Sequence, residues 1–453
     1  MTAPNIILII ADDMGYGDFG VFNDQISCTP NLDALVDDGI CLTQHYSASP
    51  VCAPARAALM TGRYPHRTGS IDTLEARGLD RLRLDETTLA DLLASAGYAT
   101  GLIGKWHNGA LDARYHPTAR GFQEFVGFQG GWNPYYRYRL DRNGRLEYGD
   151  KEAYLTDVFT EEALAFIDRH HKESFFLQLA YNAPHFPLEA PDALAKKYCD
   201  MGFSLGASLI YAMIEVMDEG IGRINERLKE RGIADNTIVI FTSDNGPAFG
   251  AWNGFSQRRF NFGWNGQKGN TYEGGIRVPL IIRWAGGLDA GLRSDELAHF
   301  TDWFPTLLAM VGLDVPTDLQ LDGVNALPVL RGERGKINPL RFWQWNRYSP
   351  LSACNAAMRD GDWKLLRPQI REAMEVSPVD TALDHAIKYF PEYFDGILEA
   401  PEPERTLPPP PPALLFNLAD DPGEQVDLAA QYPVKVASME AALERWFIDV
   451  TGL

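Results

Sequence analysis

The feature that most constrains the fold is an apolar, β-branched run at Asn5–Ala11, which reads NIILIIA. A strand without polar alternation has to be covered on both faces, as in a largely parallel sheet held between two layers of helices. Further apolar strand candidates follow at Phe175–Ala180, Thr237–Thr242 and Val278–Arg283, with amphipathic segments such as Leu205–Arg231 between them. This alternation over roughly 300 residues predicts a large α/β domain with a mostly parallel sheet.

The sequence changes in character after about residue 335. Short strand candidates at 342–345, 356–360, 363–367 and 414–418 are followed by a helical segment at 432–450. Residues 369–412 are rich in Pro and Glu and include five consecutive prolines, so we expect an extended insertion on the surface. The chain is therefore predicted to have a large α/β domain at 1–335. A smaller α+β subdomain at 336–453 would hold a small antiparallel sheet packed with a helix and would carry the insertion.

The charge balance limits the classes of partner. The chain has 61 acidic and 41 basic residues and a formal net charge of -20, which argues against a protein that binds nucleic acid or a membrane surface. A local cluster of Lys and Arg can still bind a small anionic substrate. Five cysteines without a CxxC pair fit neither a disulfide scaffold nor a zinc ribbon.

The sequence as it stands predicts a cytoplasmic protein. The apolar run Ile6–Ala11 is too short to cross a bilayer, and no Lys or Arg precedes Arg56, so the positive region of a signal peptide is missing. If a leader had been trimmed, we would expect a periplasmic or secreted protein instead.

Acidic residues follow two of the predicted strands. Asp12 and Asp13 come directly after the first strand, and Asp244 and Asn245 follow Thr237–Thr242. Each pair alone is commonly a solvated loop or an Asx turn. The carboxyl ends of parallel strands meet at one edge of a sheet, however, and close carboxylates there repel each other by about 4 kcal/mol at an effective dielectric of 20. An all-oxygen set of this kind predicts a divalent cation, Ca²⁺ or Mg²⁺ in preference to zinc.

A lone cysteine precedes a predicted helix. Cys52 begins the segment CAPAR, in which Pro54 suits the first turn of a helix that runs through about Met60. The N-terminus of a helix favours an anion, and Arg56 lies one turn further along, where it could face the cysteine. The alternative is a buried thiol that packs as a small apolar group.

Other polar and aromatic residues carry weaker signals. Lys105 and His107, two residues apart in an extended segment, fit a site or a solvent-facing surface equally well. Five other histidines are expected to be structural or solvated, namely His45, His66, His116, His170 and His171. The aromatic and Arg-containing segments Trp132–Arg139 and Trp252–Arg259 either pack as loops or form a rim that stacks sugar rings and pairs with an anionic group.

The CxPxR motif at Cys52 and the following TGR at Thr61–Arg63 resemble the signature of the type I sulfatases. These are the formylglycine-dependent, Cys-type, arylsulfatase-like members of the alkaline phosphatase superfamily. Six more segments resemble motifs of that family in the same order: Asn5–Asp13, Gly104–His107, Ala183–His185, Thr242–Gly246, Gly266–Pro279 and Leu415–Glu424. The family usually has Ser where Ala55 stands, and Ala is a tolerated variant of the modification motif.

The resemblance implies a fold and a set of ligands. It implies an alkaline-phosphatase-like α/β/α sandwich around a mostly parallel mixed sheet. It also implies that a formylglycine-generating enzyme converts Cys52 to formylglycine, whose hydrate is the nucleophile. The family's metal is Ca²⁺, with Mg²⁺ as the other candidate, and its ligand positions correspond to Asp12, Asp13, Cys52, Asp244 and Asn245.

The resemblance also implies catalytic roles. Arg56 and Lys105 would hold the hydrate, His185 would be the general acid with Lys268 nearby, and His107 would be the base. The expected reaction is hydrolysis of a sulfate ester on a small molecule or an oligosaccharide, with a sulfated carbohydrate favoured. Two alternatives remain, a phosphonate monoester or phosphodiester hydrolase of the same superfamily and a non-catalytic protein that binds sulfated glycans. The oligomeric state is left open.

Overall fold

A computed structural model of the chain describes residues 3–333, 337 and 340–452. The predicted boundary between residues 335 and 336 lies outside these residues, as does the side chain of Trp252. Across the described part of the chain, the helices lack the combination of length and apolar character that a membrane span requires.

Strands and helices alternate along the described chain. The strands are β1 Asn5–Ala11, β2 Ile40–Leu42, β3 His45–Tyr46, β4 Ala99–Lys105, β5 Glu124–Phe128, β6 Arg139–Arg142, β7 Arg145–Tyr148, β8 Phe175–Ala180, β9 Thr237–Ser243, β10 Ala251–Trp252, β11 Phe255–Ser256, β12 Leu280–Arg283, β13 Leu292–Ser294, β14 Ala298–His299, β15 Leu340–Gln344, β16 Ala356–Asp360, β17 Trp363–Arg367 and β18 Leu414–Asn417. The α-helices are α1 Pro30–Asp38, α2 Cys52–Thr61, α3 Pro65–Thr68, α4 Leu89–Ser95, α5 Leu155–His170, α6 Asp192–Asp200, α7 Leu205–Glu230, α8 Glu273–Ile276, α9 Trp303–Met310, α10 Leu327–Leu330, α11 Pro378–Tyr389 and α12 Pro433–Thr451. Short 3-10 helices lie at Tyr16–Asp18, Gly20–Phe22, Glu75–Arg77, Ala113–Tyr115, Pro117–Ala119, Ala234–Asn236, Phe300–Asp302, Arg371–Ala373 and Pro391–Tyr393.

Ten of the described strands form one large sheet, in the order β13-β2-β12-β9-β1-β8-β4-β5-β6-β7. The five central strands, β9, β1, β8, β4 and β5, are mutually parallel, and β12 runs antiparallel to β9. In the pairing register Ala11 lies opposite Ser243, and Ile10 lies opposite Ala180. The carboxyl ends of β9, β1 and β8 therefore lie at nearly the same level of the sheet.

The apolar run of β1 is buried throughout and serves two cores. Ile7 and Ile9 belong to the core under α1, α5 and α7, whereas Leu8 and Ile10 belong to the core under α2, α4 and α9. This division follows from the two-residue period of a strand, which directs successive side chains to opposite faces. The predicted three-layer α/β/α arrangement is confirmed.

The C-terminal part forms a four-stranded antiparallel sheet, in the order β15-β16-β17-β18. Helix α12 packs on this sheet through Met439, Leu443 and Trp446, which contact apolar side chains such as Leu365 of β17. The predicted small antiparallel sheet with one helix is confirmed, although the first strand begins at Leu340 and not at Phe342.

The prediction of an extended insertion at residues 369–412 is wrong for the middle of this segment. Helix α11 lies inside it, with Pro378 in the first turn and the Ser377 hydroxyl accepting a hydrogen bond from the Asp380 amide at 3.0 Å. Its sequence from Val379 to Tyr389 is free of Pro and Gly and buries Ile387, so the helix forms between the proline-rich stretches. Residues 394–413 form the longest stretch without helix or strand in this part of the chain.

The motifs Gly266–Pro279 and Leu415–Glu424 meet in a buried ion network between the large sheet and the C-terminal sheet. Lys364 of β17 lies 2.9 Å from Glu273 of α8 and 2.8 Å from Glu424, and all three side chains are buried. Burial raises the pKa of Glu424 to about 7. Because unpaired buried charges are costly, this network fixes how the C-terminal sheet docks against the segment that carries Lys268.

Candidate active site

The predicted polar residues converge at the carboxyl edge of the central strands. Asp12 follows β1, Asp244 follows β9, Lys105 ends β4, and His185 lies on the loop after β8. The order β9-β1-β8-β4 makes these four strands immediate neighbours, so their C-terminal loops lie side by side. The expectation of a single cleft, drawn from the strand ends alone, is confirmed.

Three carboxylates and one amide are packed together in the centre of this cleft. The Asp13 amide donates a hydrogen bond to Asp244 Oδ1 at 3.2 Å, and Asn245 Nδ2 donates to Asp13 Oδ1 at 2.7 Å. Asp12 and Asp13 would point to opposite faces of a regular strand. Asp13 instead adopts a left-handed backbone (φ 67), and both side chains reach the same cluster.

Each carboxylate has its own cation. Lys105 Nζ lies 2.6 Å from Asp12 Oδ2, and Lys268 Nζ lies 2.7 Å from Asp13 Oδ1. The Arg56 guanidinium binds Asp244 Oδ2 through Nε at 2.9 Å and Nη2 at 2.8 Å. The formal charges of these six side chains cancel. Arg56 is thus held by a carboxylate and does not stand alone opposite Cys52.

The three carboxylates are nevertheless unequal. Burial and the charge of Asp244 raise the pKa of Asp12 to about 8. Burial also raises the pKa of Asp13, but Lys268 and His185 outweigh it and hold that pKa below its usual value. The pKa of Asp244 is lowered in the same way by Arg56 and Lys105, against burial. Burial and the repulsion between carboxylates are therefore least compensated at Asp12.

The donor set fits a hard divalent cation. Among the described residues, Asp12 Oδ1 and Asn245 Oδ1 are buried and have no hydrogen-bond partner. Potential ligand atoms of Asp12, Asp13, Cys52 and His185 all lie within 4.8 Å of one another. His185 was not among the predicted ligands, whereas the predicted Asp244 and Asn245 join the cluster through hydrogen bonds to Asp13. A bound cation would coordinate the two oxygens that have no hydrogen-bond partner and would relieve the repulsion between the carboxylates.

Cys52 is the first residue of α2, as predicted from Pro54, and is 2% exposed. Its thiol lies among the carboxylates of the cluster. The burial of the whole of α2 holds this helix start rigidly at the cleft. The alternative of a thiol packed as a small apolar group does not fit such polar neighbours.

His185 is held in one orientation next to Cys52. Its Nδ1 donates to the carbonyl of Phe186 at 2.7 Å, so Nε2 faces the cluster, 3.7 Å from Asp13 Oδ2. The Tyr135 hydroxyl donates to the carbonyls of Asn182 and His185 and anchors this loop. Burial and Lys268 lower the pKa of His185, and Asp13 opposes them.

His107 is buried and has a left-handed backbone (φ 53), which directs its ring into the cleft. Both ring nitrogens lack a hydrogen-bond partner among the described residues. Burial and the charge of Lys105 bring the pKa of His107 well below its usual value. A neutral imidazole with an unused nitrogen suits a proton acceptor.

Two residues beside His107 were missed by sequence reasoning. Glu75 Oε1 lies 3.6 Å from His107 Nε2, and Lys388 Nζ of α11 lies 3.0 Å from the same oxygen. Neither residue stands in a recognisable motif, and the proline-rich surroundings of α11 gave no signal of a buried lysine.

Of the two aromatic segments proposed as a rim, Trp132–Arg139 is largely packed, whereas most of the described residues of Trp252–Arg259 are exposed, Phe255 among them. Trp132 is 7% exposed and packs against Phe186 and Tyr389. Arg139 pairs with Glu392, and the buried Arg259 pairs with Asp18 and donates to the Asp13 carbonyl at 3.2 Å. For these residues the loop-packing alternative is favoured.

The five histidines predicted to be structural or solvated lie outside the cluster. His45 is buried between the Val278 carbonyl and the Trp303 indole, and burial lowers its pKa to about 3. His66 contacts Gln344, and His116 contacts Asp141. At the end of α5, His170 pairs with Glu124 and Glu173, and His171 contacts the carbonyl of Asp168.

The chain matches two family models. Residues 4–313 match the model described as Sulfatase, and residues 261–376 match the model described as N-sulphoglucosamine sulphohydrolase, C-terminal. The first match covers more than half of the chain. The second spans the segment of Lys268 and the first three strands of the C-terminal sheet.

Individual proteins are similar over nearly the whole chain. N-acetylgalactosamine-6-sulfatase of Homo sapiens is 33% identical over 96% of this chain and 82% of its own. The crystal structure of Ps i-CgsB in complex with k-i-k-neocarrahexaose is 31% identical, with a TM-score of 0.81 over 98% of this chain and 93% of that one. The PsFucS1 sulfatase from Pseudoalteromonas sp. is 26% identical, with a TM-score of 0.75 over 99% and 91%. The expected alkaline-phosphatase-like fold is confirmed.

Proposed function

Because the chain belongs to the sulfatase family, we propose that this enzyme hydrolyses the sulfate ester of a sulfated carbohydrate to an alcohol and inorganic sulfate. In this proposal Cys52 is converted to formylglycine, and Ca²⁺ is the metal. The observation that carries the proposal is the position of Cys52, at the start of a buried helix and next to Asp12, Asp13 and His185.

The charge of the cleft supports an anionic substrate. Three carboxylates and three cationic side chains cancel each other, so a bound divalent cation would leave a net charge of about +2 in a buried site. A sulfate monoester contributes one negative charge, and more negative charge develops on its oxygens during the reaction. Preorganised positive charge of this kind stabilises such a transition state.

The metal, Ca²⁺ or in its place Mg²⁺, would be held by Asp12, Asp13, Asp244 and Asn245 together with the modified residue 52. When bound, it would act as a Lewis acid that lowers the pKa of the nucleophilic hydroxyl of the formylglycine hydrate. Arg56 and Lys105 would neutralise the charge beside that hydroxyl, as their ion pairs with Asp244 and Asp12 place them at the cluster.

The two active-site histidines would move protons in opposite directions. As an imidazolium, His185 holds its second proton on Nε2, the nitrogen that faces the cluster, and can give it to the departing alkoxide. Lys268 supports the same region by pairing with the substrate sulfate. His107, neutral in its buried position, would accept the proton that has to leave when inorganic sulfate is expelled and the aldehyde is regenerated.

A carbohydrate substrate is supported by the relatives and by a cavity beside the cleft. The relatives include a sulfatase named for N-acetylgalactosamine 6-sulfate and a structure that holds a neocarrahexaose. The cavity has a volume of about 560 Å³ and is lined in part by Glu75, Gly130, Trp132 and Asn133. Aromatic and amide side chains in a cavity of this size suit a sugar unit.

The decisive experiment is an assay of protein that has been co-expressed with a formylglycine-generating enzyme. We expect the tryptic peptide that ends at Arg56 to carry the aldehyde mass, and the protein to release sulfate from N-acetylgalactosamine 6-sulfate or sulfated galactan oligosaccharides. A phosphonate monoester and a phosphodiester serve as control substrates. Faster turnover of these controls would favour the phosphorus-ester hydrolase, and a thiol that stays unmodified would contradict the proposed nucleophile.

Replacing His185 by Ala should have a strongly substrate-dependent effect. We expect kcat to fall about 10³-fold on a carbohydrate sulfate, whose alkoxide needs a proton, but only about tenfold on nitrophenyl sulfate, whose leaving group does not. His171→Ala, at the C-terminal end of α5 and outside the cluster, is the matched control and should leave both rates unchanged. Equal losses on the two substrates would show that His185 is not the general acid.

A further inference from the structure

Glu75 places one carboxylate oxygen among three donors. Oε1 accepts a hydrogen bond from the Gly131 amide at 2.6 Å, lies 3.0 Å from Lys388 Nζ and lies 3.6 Å from His107 Nε2. The side chain is buried, and so are those of His107 and Lys388, which is 5% exposed. Contacts of a catalytic histidine that are long in a free enzyme commonly shorten when substrate binds.

Helix α11 supplies the charge that Glu75 needs. Lys388 is the one described lysine or arginine within ion-pair distance of Glu75, and it also pairs with Asp384 one turn earlier. The Asp384 carboxylate accepts a hydrogen bond from the Ala76 amide at 3.2 Å, which ties the helix to the residue after Glu75. The segment expected to be a surface insertion therefore reaches the surroundings of His107.

The surroundings of Glu75 are otherwise acidic. Asp384 and the buried Asp80 face it, and neither oxygen of Asp80 has a hydrogen-bond partner in the described part of the chain. Burial raises the pKa of Glu75, and Lys388 opposes that rise. Without Lys388, a buried Glu75 beside two other carboxyl groups would take up a proton and lose its role as an acceptor.

We propose that Glu75 is a positioning residue that keeps the proton of neutral His107 on Nε2, and that Lys388 keeps Glu75 ionised for this task. A carboxylate that accepts from one ring nitrogen fixes the tautomer and leaves the other nitrogen as the base. In His107 the nitrogen that would act as the base is Nδ1, which is buried and has no hydrogen-bond partner among the described residues. The part that His107 then plays as the base rests on the proposed function.

The tautomer can be measured without turnover, on protein that still carries the Cys52 thiol. Two-dimensional ¹H–¹⁵N spectra of the full chain labelled at histidine distinguish Nε2–H from Nδ1–H, and His107→Gln identifies the signals. We expect Nε2–H in the wild type, a mixture in Glu75→Leu, which removes the acceptor, and a shift toward Nδ1–H in Lys388→Met. Glu402→Gln, which disturbs only contacts between the same insertion and Ser349, should leave the spectrum unchanged.

Kinetics of the matured protein supply the second readout. We expect kcat to fall about 10- to 100-fold in both variants while KM stays within about twofold, because the substrate is still bound but the base is misaligned. An unchanged Nε2–H tautomer in a folded Glu75→Leu or Lys388→Met protein would overturn the proposal. If the tautomer changes as expected but the wild type hydrolyses no sulfate ester, the proposed function fails while the role of Glu75 stands.

Discussion

Cys52→Ala is expected to lower kcat by about 10⁴-fold or more, since loss of the nucleophile leaves only binding and electrostatic stabilisation. The fold should persist. The thiol begins α2, and the contacts that hold this helix come from the residues after it, which are all buried. Asp12, Asp13, Asp244 and Asn245 also remain to hold a cation. The variant should therefore unfold at nearly the temperature of the wild type and still bind substrate.

The measurement is turnover of a sulfate ester, together with thermal unfolding and the mass of the peptide that ends at Arg56. Cys199→Ala is the matched control, because this cysteine lies on α6 and belongs to neither the cluster nor a motif. It should keep full activity. If Cys52→Ala retained activity close to that of the wild type, Cys52 would have no part in the mechanism.

The core of the site was predictable because its residues stand at strand ends. Asp12, Lys105 and Asp244 each lie at the carboxyl end of an apolar run, and parallel neighbours must bring such ends together. Cys52 was placed by Pro54, whose fixed backbone angle suits a first helical turn. In these cases a local pattern and the topology of the sheet determine the position.

The residues that support the site could not be predicted in this way. The contact between Glu75 and Lys388 joins a 3-10 turn near the start of the chain to a helix near its end, and no sequence period connects them. Helix α11 was not predicted because prolines lie on both sides of it. The high proline content of residues 369–412 as a whole concealed the proline-free stretch at 379–389. For Arg259 the sequence left loop packing and a rim both open, because its buried pairing with Asp18 depends on how a long loop folds back.

Asp244→Ala is expected to remove the bound cation and with it the activity. Its loss deletes one carboxylate and also leaves the buried Arg56 guanidinium without its main partner. Asp12 Oδ1, 3.9 Å from Arg56 Nη2, is the nearest remaining carboxylate that the structure describes and would turn toward it. Two oxygens would then be withdrawn from the metal, and binding should fall by several orders of magnitude.

Elemental analysis after dialysis should find about one Ca²⁺ per chain in the wild type and almost none in Asp244→Ala. Calcium at 1,000 times its Kd should stabilise the wild type by about 4 kcal/mol and leave the variant unaffected. The matched control is Asp302→Ala, since Asp302 is equally buried and pairs with Arg341 at 2.8 Å outside the cluster. It should lose stability but keep its metal. Unchanged metal content in Asp244→Ala would show that the cation does not depend on Asp244.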